Sequence, residues 1–125
     1  MRTRPSLAAV MTLAVTAAAM TVADPALALN QKTCQVKYDG VDRDCITQTL
    51  DLAGSNLFHV ASTGAPADQS WLLIVTDVNN GKVVVNDPPI WGNANVWRTK
   101  VYSDYTAYAW CNRPCPGLTL YFANG

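Results

Sequence analysis

The sequence predicts an all-β fold: one small, disulfide-tied antiparallel β-sandwich or barrel of about seven to eight short strands. Three observations carry this expectation. Apolar residues recur with period two over short runs, and no stretch after the N-terminal segment sustains a 3.6-residue period. Clusters of Gly, Pro, Asn, Asp and Ser punctuate those runs. Cys34, Cys45, Cys111 and Cys115 form an even set in a short chain that begins with an export signal.

The first residues read as an address. Arg2 and Arg4 precede a run without charge from Leu7 to Ala23, and Ala26-Leu27-Ala28 supplies a small-x-small cleavage pattern. Residues 1–28 are therefore expected to be a secretory signal peptide, with Thr21-Val22-Ala23 as a second cleavage site. Residues 29–125 are expected to be a single secreted β domain. The uncharged run is at the short end for a membrane span and rich in alanine, so no stable membrane insertion is expected after cleavage.

The strands follow in order. Thr33 to Tyr38 alternates, and Asp39-Gly40 turns the chain. Cys45 to Leu52 alternates loosely, with Ile46, Leu50 and Leu52 on one side. Ala53 to Asn56 is a turn, Leu57 to Ser62 a short strand, and Thr63 to Ser70 a loop carrying Gly64 and Pro66. Trp71 to Val78 and Lys82 to Asn86 form a hairpin about Asn80-Gly81, whose residues tolerate the positive φ of a tight turn. In that register Leu72, Ile74, Thr76, Val78, Val83 and Val85 share a face. The other face is also apolar, which predicts a central hairpin. Asp87 to Asn95 is a loop, because Pro88-Pro89 cannot donate ladder hydrogen bonds. Val96 to Cys111 is too long for one strand and folds at Ser103-Asp104. Trp97, Thr99, Val101, Thr106, Tyr108 and Trp110 then form the core face, and Arg98, Lys100, Tyr102, Tyr105 and Ala107 the water face. A bent single strand is the alternative there, since Ser-Asp makes a poor two-residue turn. Leu118 to Phe122 is the last strand.

Two disulfides are expected, and four cysteines allow three connectivities. The local pairing, Cys34 with Cys45 and Cys111 with Cys115, is favoured over Cys45–Cys111 with Cys34–Cys115, because each local bridge closes a predicted turn.

Charge limits function. The chain has 125 residues, is 50% hydrophobic and 14% charged, and has zero formal net charge; every acidic residue is Asp. Residues 29–125 carry seven Lys or Arg and eight Asp, a net charge of about −1, so nucleic-acid binding and adsorption to acidic membranes lack an electrostatic motive. No catalytic residue is assigned. The one histidine, His59, lies in an apolar strand, and no serine sits in a Gly-x-Ser-x-Gly elbow. Asp39, Asp42, Asp44, Asp87 and Asp104 sit beside turns, which accounts for them without catalysis. Asp39, Asp42 and Asp44 lack the EF-hand spacing, so neither a metal nor a cofactor is expected.

The aromatic residues are the functional signal. Trp91 stands in a Pro/Gly/Asn loop, and Tyr102 and Tyr105 share the predicted water face with Arg98 and Lys100. Exposed aromatics beside polar groups can stack on sugar rings or on a protein partner. Trp71, Trp97 and Trp110 are expected in the core. The leading expectation is a secreted, non-enzymatic binding domain whose ligand-binding residues are Trp91, Arg98, Lys100, Tyr102 and Tyr105, with a polysaccharide or an extracellular protein as partner. The alternative is an inhibitor or toxin-like protein with Arg113, at the tip of the Cys111–Cys115 loop, as its inhibitory residue. A third is a structural envelope-associated protein. The chain is similar in outline to small β-proteins that bacteria export, without a motif that ties it to one family.

Overall fold

The computed structural model describes residues 30–125; the signal-peptide reading of residues 1–28 lies outside them. In chain order the strands are β1 (Gln31–Gln35), β2 (Asp44–Ile46), β3 (Leu50–Asp51), β4 (Leu57–Thr63), β5 (Trp71–Asp77), β6 (Val83–Asn86), β7 (Asn95–Thr99), β8 (Asp104–Cys111) and β9 (Thr119–Asn124). All pairings are antiparallel. A four-stranded sheet has the order β1-β9-β4-β7. A five-stranded sheet has the order β2-β8-β5-β6, with β3 also pairing β8. The fold is thus the all-β disulfide-bearing sandwich that the two-residue period predicts, and two separate sheets make it a sandwich rather than a barrel.

The inner faces supply the core. Phe58 and Val60 of β4 and Leu120 and Phe122 of β9 meet Trp71, Leu73 and Val75 of β5 and Tyr105, Ala107 and Ala109 of β8. Phe58 packs edge-on to Phe122 at 5.1 Å and against the Tyr105 ring at 5.4 Å between centroids. Large and small residues face each other across β5 and β8: Trp71 opposite Cys111, Leu73 opposite Ala109, Val75 opposite Ala107. Each fully buried large apolar side chain contributes roughly 1.5–3 kcal/mol.

Both lateral seams are fastened. On one side Cys34 of β1 is bonded to Cys45 of β2, so the first disulfide joins the two sheets. On the other, Arg98 of β7 reaches Asp87, which follows β6, with two contacts of 3.0 and 2.8 Å. Cys111–Cys115 closes the second predicted local bridge. Both edge strands of the four-stranded sheet turn a cation inward, Lys32 on β1 and Arg98 on β7, a device that discourages pairing with another chain.

Three expectations are corrected. The 96–111 segment is not a hairpin: β7 and β8 belong to different sheets, and residues 100–103 cross between them. The faces are accordingly reversed. Tyr105, Ala107 and Ala109 are inside, while Trp97 is exposed and Tyr108 and Trp110 are half-buried on the outer surface; Val101 alone of the predicted core face is buried. Small alanines fit inside because their cross-strand neighbours already fill the space. The β5–β6 hairpin closes at Asp77 and Lys82, a longer loop than Asn80-Gly81 alone, with Gly81 at φ 74°. A bulge opposite Val75 and Thr76 then puts Val85 inside and Val83 outside. Only β5 is central; β6 is an edge.

Candidate functional site

Trp91 is 69% exposed, yet its loop is tightly held. On one side of it, Ile90 and Trp71 exchange backbone hydrogen bonds of 2.8 and 3.0 Å. On the other, the buried Trp71 indole N–H donates to the Gly92 carbonyl at 2.8 Å, and Gly92 turns at φ 78°. Further on, Asn93 Oδ1 accepts from the Ala65 N–H, and the Ala94 N–H donates to Ser62 Oγ at 2.7 Å. Ile90 packs against the core, so the tryptophan between two anchored neighbours is turned to water.

The other expected ligand-binding residues do not gather around it. Arg98 points between the sheets and is spent on Asp87. Lys100 is exposed at φ 59°, where the chain leaves β7. Tyr102 is 76% exposed, but it follows β7 whereas Trp91 precedes it, so the two lie at opposite ends of the sandwich. There Tyr102 borders a cavity of about 260 Å³ lined also by Asp51, Ser55, Asn79, Ser103 and Asp104. Tyr105 is the clear correction. It is 3% exposed, its ring packs on Phe58, and its hydroxyl accepts the Tyr102 N–H at 3.2 Å. Reversal of the β8 faces put it inside.

Arg113 is not extended from its loop. Its guanidinium donates to the Asp68 carbonyl at 2.8 Å and its carboxylate at 3.2 Å, and its N–H donates to Gln69 Oε1. The acidic loop is also internally engaged. Asp39 Oδ1 accepts the N–H groups of Asp42 and Val41, both at 2.9 Å, and these bonds hold its pKa below the ordinary value. Asp44 Oδ2 accepts the Tyr108 hydroxyl at 2.9 Å. Partial burial, then the Asp44 hydrogen bond and charge, raise the Tyr108 pKa.

The structure assembles a constellation that sequence reasoning missed. Trp97, 53% exposed, stands on the outer face of the four-stranded sheet directly opposite His59 of β4. The two rings are stacked, with centroids 3.9 Å apart and planes 10° from parallel. His59 Nε2 also hydrogen-bonds Asn95 Oδ1, two residues before Trp97 on the same strand. The imidazole is therefore fixed from two sides and braces the indole. Tyr121 of β9 lies on the same outward face, one row along and diagonal to His59. The sequence places His59 in the apolar strand 57–62, whose alternation sets it on the face opposite Phe58, and signals nothing further. Its partner lies 38 positions away, and only the β4–β7 register reveals it.

The opposite outer face is different in character. Leu72, Ile74, Tyr108 and Trp110 are half-buried there beside the exposed Ile46, and Arg43 sits 5.9 Å above the Trp110 ring. No protein-family model matches the chain, and no curated protein matches it.

Proposed function

We propose that the protein is a non-enzymatic, secreted domain that binds polysaccharide through exposed aromatic side chains. The observation that carries this reading is the braced Trp97–His59 stack on an open sheet face. An indole held in place loses little freedom when a sugar ring covers it, so more of the contact free energy remains as affinity. The exposed Trp91, on the anchored loop that precedes β7, supplies a second ring. The export signal read in residues 1–28 and the two disulfides support an oxidising, extracellular setting.

The test is depletion from solution by insoluble chitin, cellulose and peptidoglycan. The wild-type protein is expected to be retained by at least one polymer, and Trp97→Ala and Trp91→Ala to weaken retention. Retention by none of the polymers, or retention that both variants leave unchanged, would overturn the reading.

A further inference from the structure

The outer face of the four-stranded sheet carries no Asp, Glu, Lys or Arg side chain. The two charged residues in its strands, Lys32 and Arg98, both fall on the inward alternation. The outward positions of β1, β9, β4 and β7 hold none of Asp, Glu, Lys or Arg. Charged residues make up 14% of the chain, and none of them points out from the strands of this face. Elsewhere the charges are plentiful: Lys37, Asp39, Arg43 and Asp44 lie around β2 alone.

What occupies the face is aromatic rings, amides, hydroxyls, two alanines and Leu57. One row across the strands reads Trp97, His59, Ala123, Gln31; the next reads Asn95, Ala61, Tyr121, Thr33. Ala61 sits beside Tyr121 and Ala123 beside His59, so the two alanines flank the diagonal that runs from Tyr121 to the Trp97–His59 pair. Four strands at about 4.8 Å spacing span about 14 Å, room for a short run of sugar rings. Asn95 Oδ1 is taken by His59; neither the Asn95 amide N–H₂ nor the Tyr121 hydroxyl has a partner among the described residues.

We propose that the ligand of this face is a neutral polysaccharide, laid across β7, β4 and β9. This rests on the polysaccharide-binding reading above and narrows it to one chemical class. The apolar C–H face of a sugar ring covers Trp97, and neighbouring hydroxyls pair with Asn95 and Tyr121. A uronate, sulfate or ammonium group set down here would lose hydration and find no counter-charge, which disfavours charged polymers. Binding that makes no ion pairs is also insensitive to salt.

Native affinity electrophoresis of the disulfide-intact protein tests this with cellulose derivatives, xylan and mannan as neutral polymers, polygalacturonate and heparin as anionic ones, and chitosan as the cationic one. Each is run at low salt and at about 1 M salt, where the Debye length falls to about 3 Å. The expected result is retardation by a neutral polymer that salt leaves unchanged, weakened about tenfold by Trp97→Ala and measurably by Tyr121→Ala and Asn95→Ala. These side chains are on the surface, and an unchanged far-UV spectrum will establish folding of each variant. Preferential, salt-sensitive retardation by a charged polymer would overturn neutrality while leaving the polysaccharide reading in place. Retardation lost in Trp91→Ala but intact in Trp97→Ala and Tyr121→Ala would move the ligand off this face and overturn the inference. Retardation by no polymer would overturn both.

Discussion

Removing the Cys34–Cys45 bridge by the double substitution Cys34→Ala/Cys45→Ala should destabilise the domain by about 3 kcal/mol. The bridge spans a sequence separation of 11, and closing a loop of that length removes about 9–10 cal/mol/K of chain entropy from the unfolded state, close to 3 kcal/mol at room temperature. Both sulfurs are only half-buried, so lost packing adds little. The same arithmetic for the separation of 4 between Cys111 and Cys115 gives about 2 kcal/mol. Those two residues, however, are buried at 0% and 2% exposure, so Cys111→Ala/Cys115→Ala adds a packing loss that narrows or cancels the difference. A domain of this size has about 5–14 kcal/mol in total, so the first variant should still fold, with a Tm lower by about 12–24 °C. Urea unfolding followed by circular dichroism is the assay. The m-value should rise slightly, because the unfolded chain loses a cross-link. A loss under about 0.5 kcal/mol, or a falling m-value, would refute the reasoning.

The opposite seam should be weaker. Asp87→Asn breaks the Arg98 pair, but the two side chains are 36% and 45% exposed, so the loss should stay under about 1 kcal/mol and shrink further in salt; a loss of about 3 kcal/mol in urea melts would contradict this. Leu120→Ala, at a fully buried position of β9, should cost about 2–5 kcal/mol by the same assay, and a cost below about 1 kcal/mol would show that the core collapses around the gap. For Tyr108 the folded pKa lies above the unfolded one. Its contribution to stability is therefore complete below the unfolded value and is lost as pH rises through the folded value. Ultraviolet titration of phenolate should find a component, lost in Tyr108→Phe, that ionises above the ordinary range. Asp44→Asn should return it only part-way, since burial is the larger cause. No late-ionising tyrosine would refute the assignment.

The fold class was legible because a two-residue period and turn residues act locally. The local disulfides were legible for the same reason, although not that Cys34–Cys45 would join two sheets. The 96–111 segment was misread because alternation constrains which residues share a face, not which face is inside. Aromatic size pointed Trp97, Tyr108 and Trp110 inward. The structure instead gives the interior to Tyr105, Ala107 and Ala109, because Phe58, Phe122 and Trp71, from other strands, already occupy the space. Trp91 stood out because prolines and glycine surround it. The His59–Trp97 stack did not, because it depends on strand register across the long interval between β4 and β7.

The magnitudes also say what kind of binder the surface can be. A fully exposed tryptophan presents roughly 250 Å², so at 53% and 69% exposure Trp97 and Trp91 hold roughly 130 and 170 Å² of ring surface in water. Covering Trp97 alone would contribute roughly 3 kcal/mol at 25 cal/mol/Å², and a polymer long enough to cover both rings roughly 7.5 kcal/mol. Association alone costs roughly 4 kcal/mol or more, so one short ligand on Trp97 binds more weakly than about millimolar. Hydrogen bonds from Asn95 and Tyr121 to sugar hydroxyls largely replace bonds to water, so they direct the ligand more than they tighten it. Strong retention must then come from a polymer, where a ring that leaves is replaced by the next along the chain and effective concentration is high. A face without charged side chains, its indole braced by His59, suits that mode, and the backbone ladders of β1, β9, β4 and β7 keep its rows in register while the ligand exchanges.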